Sequence, residues 1–221
     1  MRPGRYSQKT TSWGRLVRRG SAASALALGM LHGVSTARAK DGAYGRLDGD
    51  VAVTGELAIV AGEDGAALGL RAAGSYLTMA GMYVEYDEGL HSPGQRLGRR
   101  FSSGVEVRPL FLARFVNDLE QGPALVDLWL DSIGLSVGTF IAWQPPTECP
   151  TGCQSDGLEV SVGMALPLLS RANGPFIALR GGARFVLNAP SATVADETLP
   201  FAALSFGFER LAETGLLART P

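Results

Sequence analysis

The chain has 221 residues, 46% of them hydrophobic and 19% charged, and its 20 Lys+Arg against 21 Asp+Glu give a formal net charge of −1. The charge is unevenly spread: residues 1–39 hold Arg2, Arg5, Lys9, Arg15, Arg18, Arg19 and Arg38 and no acid, so removing those 7 bases leaves 13 against 21 acids, or −8. Such an acidic remainder argues against nucleic acid as a partner, and its length suits one domain.

The basic start leads into "SAASALALGMLHGV", residues 21–34, and then "ARA", residues 37–39. A positive stretch, a short apolar run and a small-x-small site form a secretory signal with cleavage after Ala39. The apolar run is too short and too rich in Ala, Gly and Ser to span a bilayer. No cysteine stands near the cleavage site to carry a lipid.

Beyond it the sequence repeats period-2 segments broken by turn-rich stretches. The first strand, residues 50–61, sets Val51, Val53, Leu57 and Ile59 against Ala52, Thr54, Glu56 and Ala58. The second sets Leu68, Leu70 and Ala72 against Gly69, Arg71 and Ala73. The third sets Ala80, Met82, Val84 and Tyr86 against Gly81, Tyr83 and Glu85. The fourth, residues 100–115, sets Phe101, Val105, Val107 and Phe111 against Ser102, Gly104, Glu106 and Arg108. "VNDLEQGPALVDLWLDS", residues 116–132, fits either a short amphipathic helix opened by Pro123 or an extension of the next strand. The fifth strand sets Ile133, Leu135, Val137, Ile141 and Trp143 against Gly134, Ser136 and Gly138.

Both cysteines follow, in "CPTGC". In an exported chain, Cys149 and Cys153 are expected to close a disulfide across a loop, since a metal site would need two further ligands. In the sixth segment, "GLEVSVGMALPLL", Leu158, Val160, Val162, Met164, Leu166 and Leu168 oppose Glu159, Ser161, Gly163, Ala165 and Pro167. The seventh sets Ile177, Leu179, Ala183 and Phe185 against Ala178, Arg180, Gly182 and Arg184. The eighth sets Ala202, Leu204, Phe206 and Phe208 against Ala203, Ser205, Gly207 and Glu209.

Eight strands are an even number, as an antiparallel up-and-down barrel requires. The mid-strand charges Glu56, Arg71, Glu85, Glu106, Arg108, Glu159, Arg180, Arg184 and Glu209 all lie opposite the apolar stripe, nearly balanced in sign and interleaved with small residues. A narrow, side-chain-filled lumen needs that composition, because unpaired charges there are costly. The expected outer connectors, residues 62–66, 87–99, 144–156 and 188–198, are mostly long and polar, while a tight turn near Ser75 and residues 170–174 make short inner ones. Tyr76, Tyr86, Phe101, Trp143, Phe176 and Phe208 fall near strand ends, where interfacial aromatics belong.

Over residues 46–210 the chain resembles the small eight-stranded bacterial outer-membrane β-barrels, in architecture and without a signature motif. The resemblance implies a signal over 1–39, a closed transmembrane barrel over 40–210 and a short tail over 211–221. It also implies a Gram-negative outer-membrane location, membrane lipid as partner, a monomeric state, and a structural or surface-interaction role with at most a very narrow, porin-like channel. One departure concerns the end: such barrels commonly finish on an aromatic residue, whereas here Phe208 is followed by "ERLAETGLLARTP". The alternative from the same pattern is a soluble exported β-barrel or sandwich holding a hydrophobic ligand. The two put the charged face on opposite sides.

No catalytic, cofactor or metal motif emerges. His91 beside Ser92 is the one histidine after residue 39. Some outer-membrane barrels modify lipid A with a His, a Ser and an acid, and Glu85, Asp87 and Glu88 stand nearby. Adjacent loop residues rarely bring a base within hydrogen-bond reach of its nucleophile, so no enzyme is expected. The acids and glycines have neither EF-hand order nor a helix after a phosphate loop.

Overall fold

The computed structural model describes residues 44–46, 49–63, 65–90, 98–117, 119, 123–144, 153–188 and 198–214. The signal over 1–39 with cleavage after Ala39, His91 with Ser92, Cys149, and the tail beyond Thr214 lie outside the described residues. Among those described no cysteine is free.

Eight strands form: β1 (Val51–Gly62), β2 (Gly65–Tyr76), β3 (Ala80–Gly89), β4 (Arg99–Val107), β5 (Gly134–Trp143), β6 (Gln154–Pro167), β7 (Gly174–Asn188) and β8 (Thr198–Ala212). They pair antiparallel in chain order, and β8 returns to β1 along a seam from Val51↔Ala212 to Gly62↔Phe201. This is the expected closed up-and-down barrel. Closure pairs the backbone of both end strands and leaves no open sheet edge along that seam.

The strands' two faces have inverted polarity. Leu57, Met82, Val137, Val160, Leu179 and Phe206 point outward and are exposed, with Leu57 at 63% and Met82 at 71%. Glu85, Arg100, Glu159 and Arg184 point inward, each no more than 2% exposed. Charged residues are the least often buried in a water-soluble protein, and here they form the interior while aliphatics form the surface. Such polarity belongs to a barrel whose solvent is lipid. A hydrophobic-ligand barrel needs an apolar interior, and this interior holds arginine–carboxylate pairs instead.

Several boundaries differ from the sequence reading. β4 stops at Val107 instead of running to Phe115, and helix α1 (Pro109–Val116) follows. Pro109 has no N–H to give a ladder and suits the first turn of a helix. Phe111, expected on an outward strand face, is therefore buried in α1 at 1% exposure. Of the two readings of residues 116–132 the helix is the one formed: α2 (Ala124–Asp131) starts after Pro123, which caps it with an extended backbone. β1 and β2 reach Gly62 and Gly65, so the expected outer loop 62–66 shrinks to a tight hairpin. The strand ends Asp87–Gly89 and Gln154–Asp156 likewise shorten the second and third outer loops, because their acids read as loop in sequence. β8 continues to Ala212, past the expected end at 210. The Asp50 carboxylate then accepts the Thr214 amide and hydroxyl, each at 2.6 Å, and ties the start of the tail to the base of β1.

Tyr76, Tyr86, Phe101 and Trp143 are exposed on the outer face near strand ends, as expected of interfacial aromatics. Phe208 is half-buried. Phe176 is not in that girdle. It shares the parity of Ala178 and Arg180, points into the lumen and is buried.

Candidate functional site: the charged lumen and its inner vestibule

Alternation along the strands delivers the predicted lumen charges to the interior, and Arg108, one residue past the end of β4, joins them there. Glu56, Arg71, Glu85, Glu106, Arg108, Arg180 and Glu209 are brought together there as one chain of ion pairs, and Glu159 with Arg184 as a separate pair.

Glu85 sits at its centre. One of its oxygens is 3.2 Å from Arg71 Nη1 and 2.6 Å from Arg180 Nη1, and the other accepts from Arg180 Nη2 at 2.7 Å. Arg71 then donates to Glu106 Oε2 at 2.6 Å and lies 3.8 Å from Glu56. Glu106 hands the chain on to Arg108 at 3.2 Å, and Arg108 reaches Glu209 at 3.3 Å. Between the paired strands β6 and β7, Arg184 Nε donates to Glu159 Oε2 at 2.7 Å, and from β8 the Ser205 hydroxyl donates to Glu56 of β1 at 2.6 Å. Removing a charge of this kind from water costs several kcal/mol, which only close and hydrogen-bonded partners offset.

Tyr83 knits the two parts. The Arg71 guanidinium lies 3.9 Å above its ring, a cation–π distance, and its hydroxyl is 3.5 Å from Glu159 Oε1. The ring fits because the facing pair Gly104↔Gly138 carries no side chain. A Cβ on Gly138 would stand 2.5 Å from the Tyr83 hydroxyl, and one on Gly104 would stand 2.9 Å from the ring.

One buried pair was missed in the sequence. Arg100 donates to Asp87 Oδ2 through Nε at 3.0 Å and Nη2 at 2.6 Å, and both residues are almost completely buried. The signal was available: Asp87 has the parity of Glu85, and Arg100 that of Ser102. Both stand where the sequence reads as a loop or a strand end, and charge there looks like loop composition.

Toward the outer end the lumen is spanned by Ala58, Val60, Ala67, Phe201 and Ala203, with Ala142 of β5 packed against them. Arg184 stacks on Phe201 at 3.7 Å. On the inner side the lumen holds a vestibule with a cavity of about 90 Å³. Its lining includes Arg71, Glu106, Arg108 and Glu209 together with Leu128 and Asp131 of α2. The β2–β3 turn contributes Thr78, whose hydroxyl is buried; Leu77 and Thr78 both hold positive φ, 48° and 56°. A β-branched residue in that region is a strained backbone position.

A second ion-pair cluster latches α1 and α2 to each other and to the segment before β1. Asp131 lies 2.5 Å from Arg46 and 2.8 Å from Arg114, Arg114 also pairs with Asp127, and the Tyr44 hydroxyl donates to Asp127 at 2.9 Å. Arg46 also stacks on Phe111 at 4.8 Å. Burial works against the charge of Arg114, and the Asp127 and Asp131 carboxylates outweigh it, holding the guanidinium above its ordinary range. The cluster leaves no period-2 signal in the sequence, since it forms only once the connector is helical.

Among the described residues no group of three or more potential metal ligands occurs. The lumen charges are paired with opposite charges, while Arg180 Nε is buried without a hydrogen-bond partner among the described residues.

No protein-family model matches the chain, and no curated protein matches it. Among solved structures it is similar to the crystal structure of the N-terminal β-barrel domain of Pseudomonas aeruginosa OprF. That match covers 73% of this chain and 99% of the other, at 13% identity and a TM-score of 0.47.

Proposed function

We propose that this chain is an outer-membrane β-barrel of a Gram-negative bacterium, exported through a signal cleaved after Ala39, with a structural or surface-interaction role carried by its outer loops. The observation that carries the reading is the inversion of polarity. An aliphatic belt faces outward, and arginine–carboxylate pairs fill the inside. The packed layer around Val60 and Phe201 supports a sealed strut, with at most a very narrow channel. The Cys149–Cys153 disulfide serves as a loop staple in the same reading, and the barrel acts as a monomer without cofactor or enzymatic activity.

The experiment is fractionation of the host's envelope. The protein is expected to stay in the outer membrane through carbonate washing, and to migrate faster unheated than boiled on a detergent gel. Release into the soluble periplasmic fraction without detergent would overturn the proposal. Two further expectations follow from the same role. Planar bilayers holding the protein should show no porin-sized conductance, and His91→Ala should leave the host's lipid A species unchanged by mass spectrometry. A changed lipid A profile would make the barrel an enzyme.

A further inference from the structure

We infer that the α1–α2 hairpin lies in the membrane, among the acyl chains and headgroups of the inner leaflet beside β5 and β6; this rests on the barrel being lipid-embedded.

Both helices have their polarity turned inside out. In α2 the face of Asp127, Leu128 and Asp131 is buried, while Leu125, Val126 and Trp129 are exposed. In α1, Phe111 is buried and Arg114 is turned into the ion-pair cluster, while Leu110, Leu112 and Val116 are exposed, Val116 at 71%. Leu119 just after α1 is exposed as well. A helix pair standing in water would show the opposite arrangement, with acids outside and leucines against the barrel. Interfacial helices bury an apolar face in the headgroup and acyl boundary.

The exposed face of the hairpin also continues the lipid belt of the barrel. Leu135 at the start of β5, Leu166 near the end of β6, and Leu168 and Leu169 just beyond it are all exposed. The pairing of β5 with β6 stops at Gly134↔Gly163, yet β6 runs on to Pro167. The β6 edge beyond Gly163 therefore lacks a β5 partner, and lipid offers an unsatisfied backbone group no hydrogen bond in compensation. The C-terminal cap of α2 covers this edge: the Ser132 hydroxyl accepts from the Ala165 amide at 2.8 Å and stands 2.8 Å from the Ala165 carbonyl. The same hydroxyl is 2.6 Å from the Trp129 carbonyl, so Trp129 sits within one helical turn of the belt. The hairpin thus completes the wall where β5 is short, and its partner is the bilayer.

The full chain carrying Trp13→Phe and Trp143→Phe keeps Trp129 alone, and Trp13→Phe with Trp129→Phe keeps Trp143 alone. Each variant is folded into phosphatidylcholine vesicles with and without lipids brominated along the acyl chain, and its emission is also titrated with iodide. Both tryptophans are expected to lose emission to brominated lipid and to resist iodide. Trp129 quenched by iodide and untouched by brominated lipid, with Trp143 still quenched by lipid, would put the hairpin in water and overturn this inference alone. Protection of Trp129 from both quenchers, with chain-to-chain cross-links, would mean that a second copy covers the face and would equally overturn it. Neither tryptophan quenched by lipid would sink the membrane reading itself. If a variant fails to fold, the unmodified protein in vesicles with a photoactivatable acyl-chain probe gives the same answer. Adducts are then expected within residues 109–131 as well as on the strands, and adducts on the strands alone would contradict the inference.

Discussion

Glu85→Leu is expected to destabilise the folded barrel by about 3–5 kcal/mol, the scale on which removing one partner of a buried ion pair acts. Glu85 is the shared carboxylate of Arg71 and Arg180, and it is 2% exposed. The two arginines are not equally affected. Arg71 keeps Glu106 at 2.6 Å and Glu56 at 3.8 Å. Arg180 has no second carboxylate within salt-bridge distance among the described residues, and it loses both contacts that hold its charge inside. The cost is therefore mostly that of one stranded guanidinium, and removing it as well should reverse most of the loss. Glu85→Leu combined with Arg180→Met is expected to recover more than half of the stability, since apolar side chains of similar volume replace buried ion pairs at little cost. Urea unfolding in detergent micelles, followed by gel migration and tryptophan emission, reads both variants. A midpoint for Glu85→Leu within the order of 0.5 kcal/mol of the parent, the ordinary size of a surface change, would mean that the lumen is wet.

Asp131→Ala is expected to release the α1–α2 hairpin and leave the strands intact. The Asp131 carboxylate holds Arg46 at 2.5 Å and Arg114 at 2.8 Å, and so joins the segment before β1 to both helices. Losing a buried carboxylate between two arginines costs about 3–5 kcal/mol, larger than two eight-residue helices can absorb, because helices this short are marginal without tertiary support. The loss should appear as local opening. In hydrogen exchange by mass spectrometry, peptides over 109–131 should lose their protection while peptides of β1–β8 keep theirs. Unchanged exchange over 109–131 would show that lipid or packing holds the hairpin without the latch. Loss of protection throughout would show that the hairpin and barrel unfold as one unit.

Much of this architecture could be read from the sequence because a β-barrel wall obeys one local rule. Side chains alternate faces with a period of two, so a strand such as residues 157–169 carries its assignment in its own letters. Glu159 next to Val160 can point inward only if the valine points out, and in the β6–β7 hairpin it faces Arg184, which has the same inward parity. The rule also explains what was missed. Asp87 and Arg100 obey it, but their charge near a strand end looked like loop composition. Phe176 obeys it too, and its aromatic character suggested a girdle that its parity forbids. The α1–α2 cluster lies beyond any such rule, since Arg46, Arg114, Asp127 and Asp131 meet only through tertiary packing across more than 80 residues of chain. The β4 boundary turned on Pro109, whose missing N–H outweighed an alternation that otherwise continued to Phe111.

The central claim is that the aliphatic face meets lipid. It is tested most directly by placing a single nitroxide label at each residue from Leu158 to Leu166 in the barrel reconstituted in vesicles, and measuring collisions with oxygen and with a water-soluble nickel chelate. Oxygen, which concentrates in acyl chains, is expected to win at Leu158, Val160, Val162, Met164 and Leu166. Labels at Glu159, Ser161, Gly163 and Ala165 should be shielded from oxygen, giving an alternation with a period of two. Nickel collisions dominating at Val160, Val162 and Met164 would place that face in water and contradict the account.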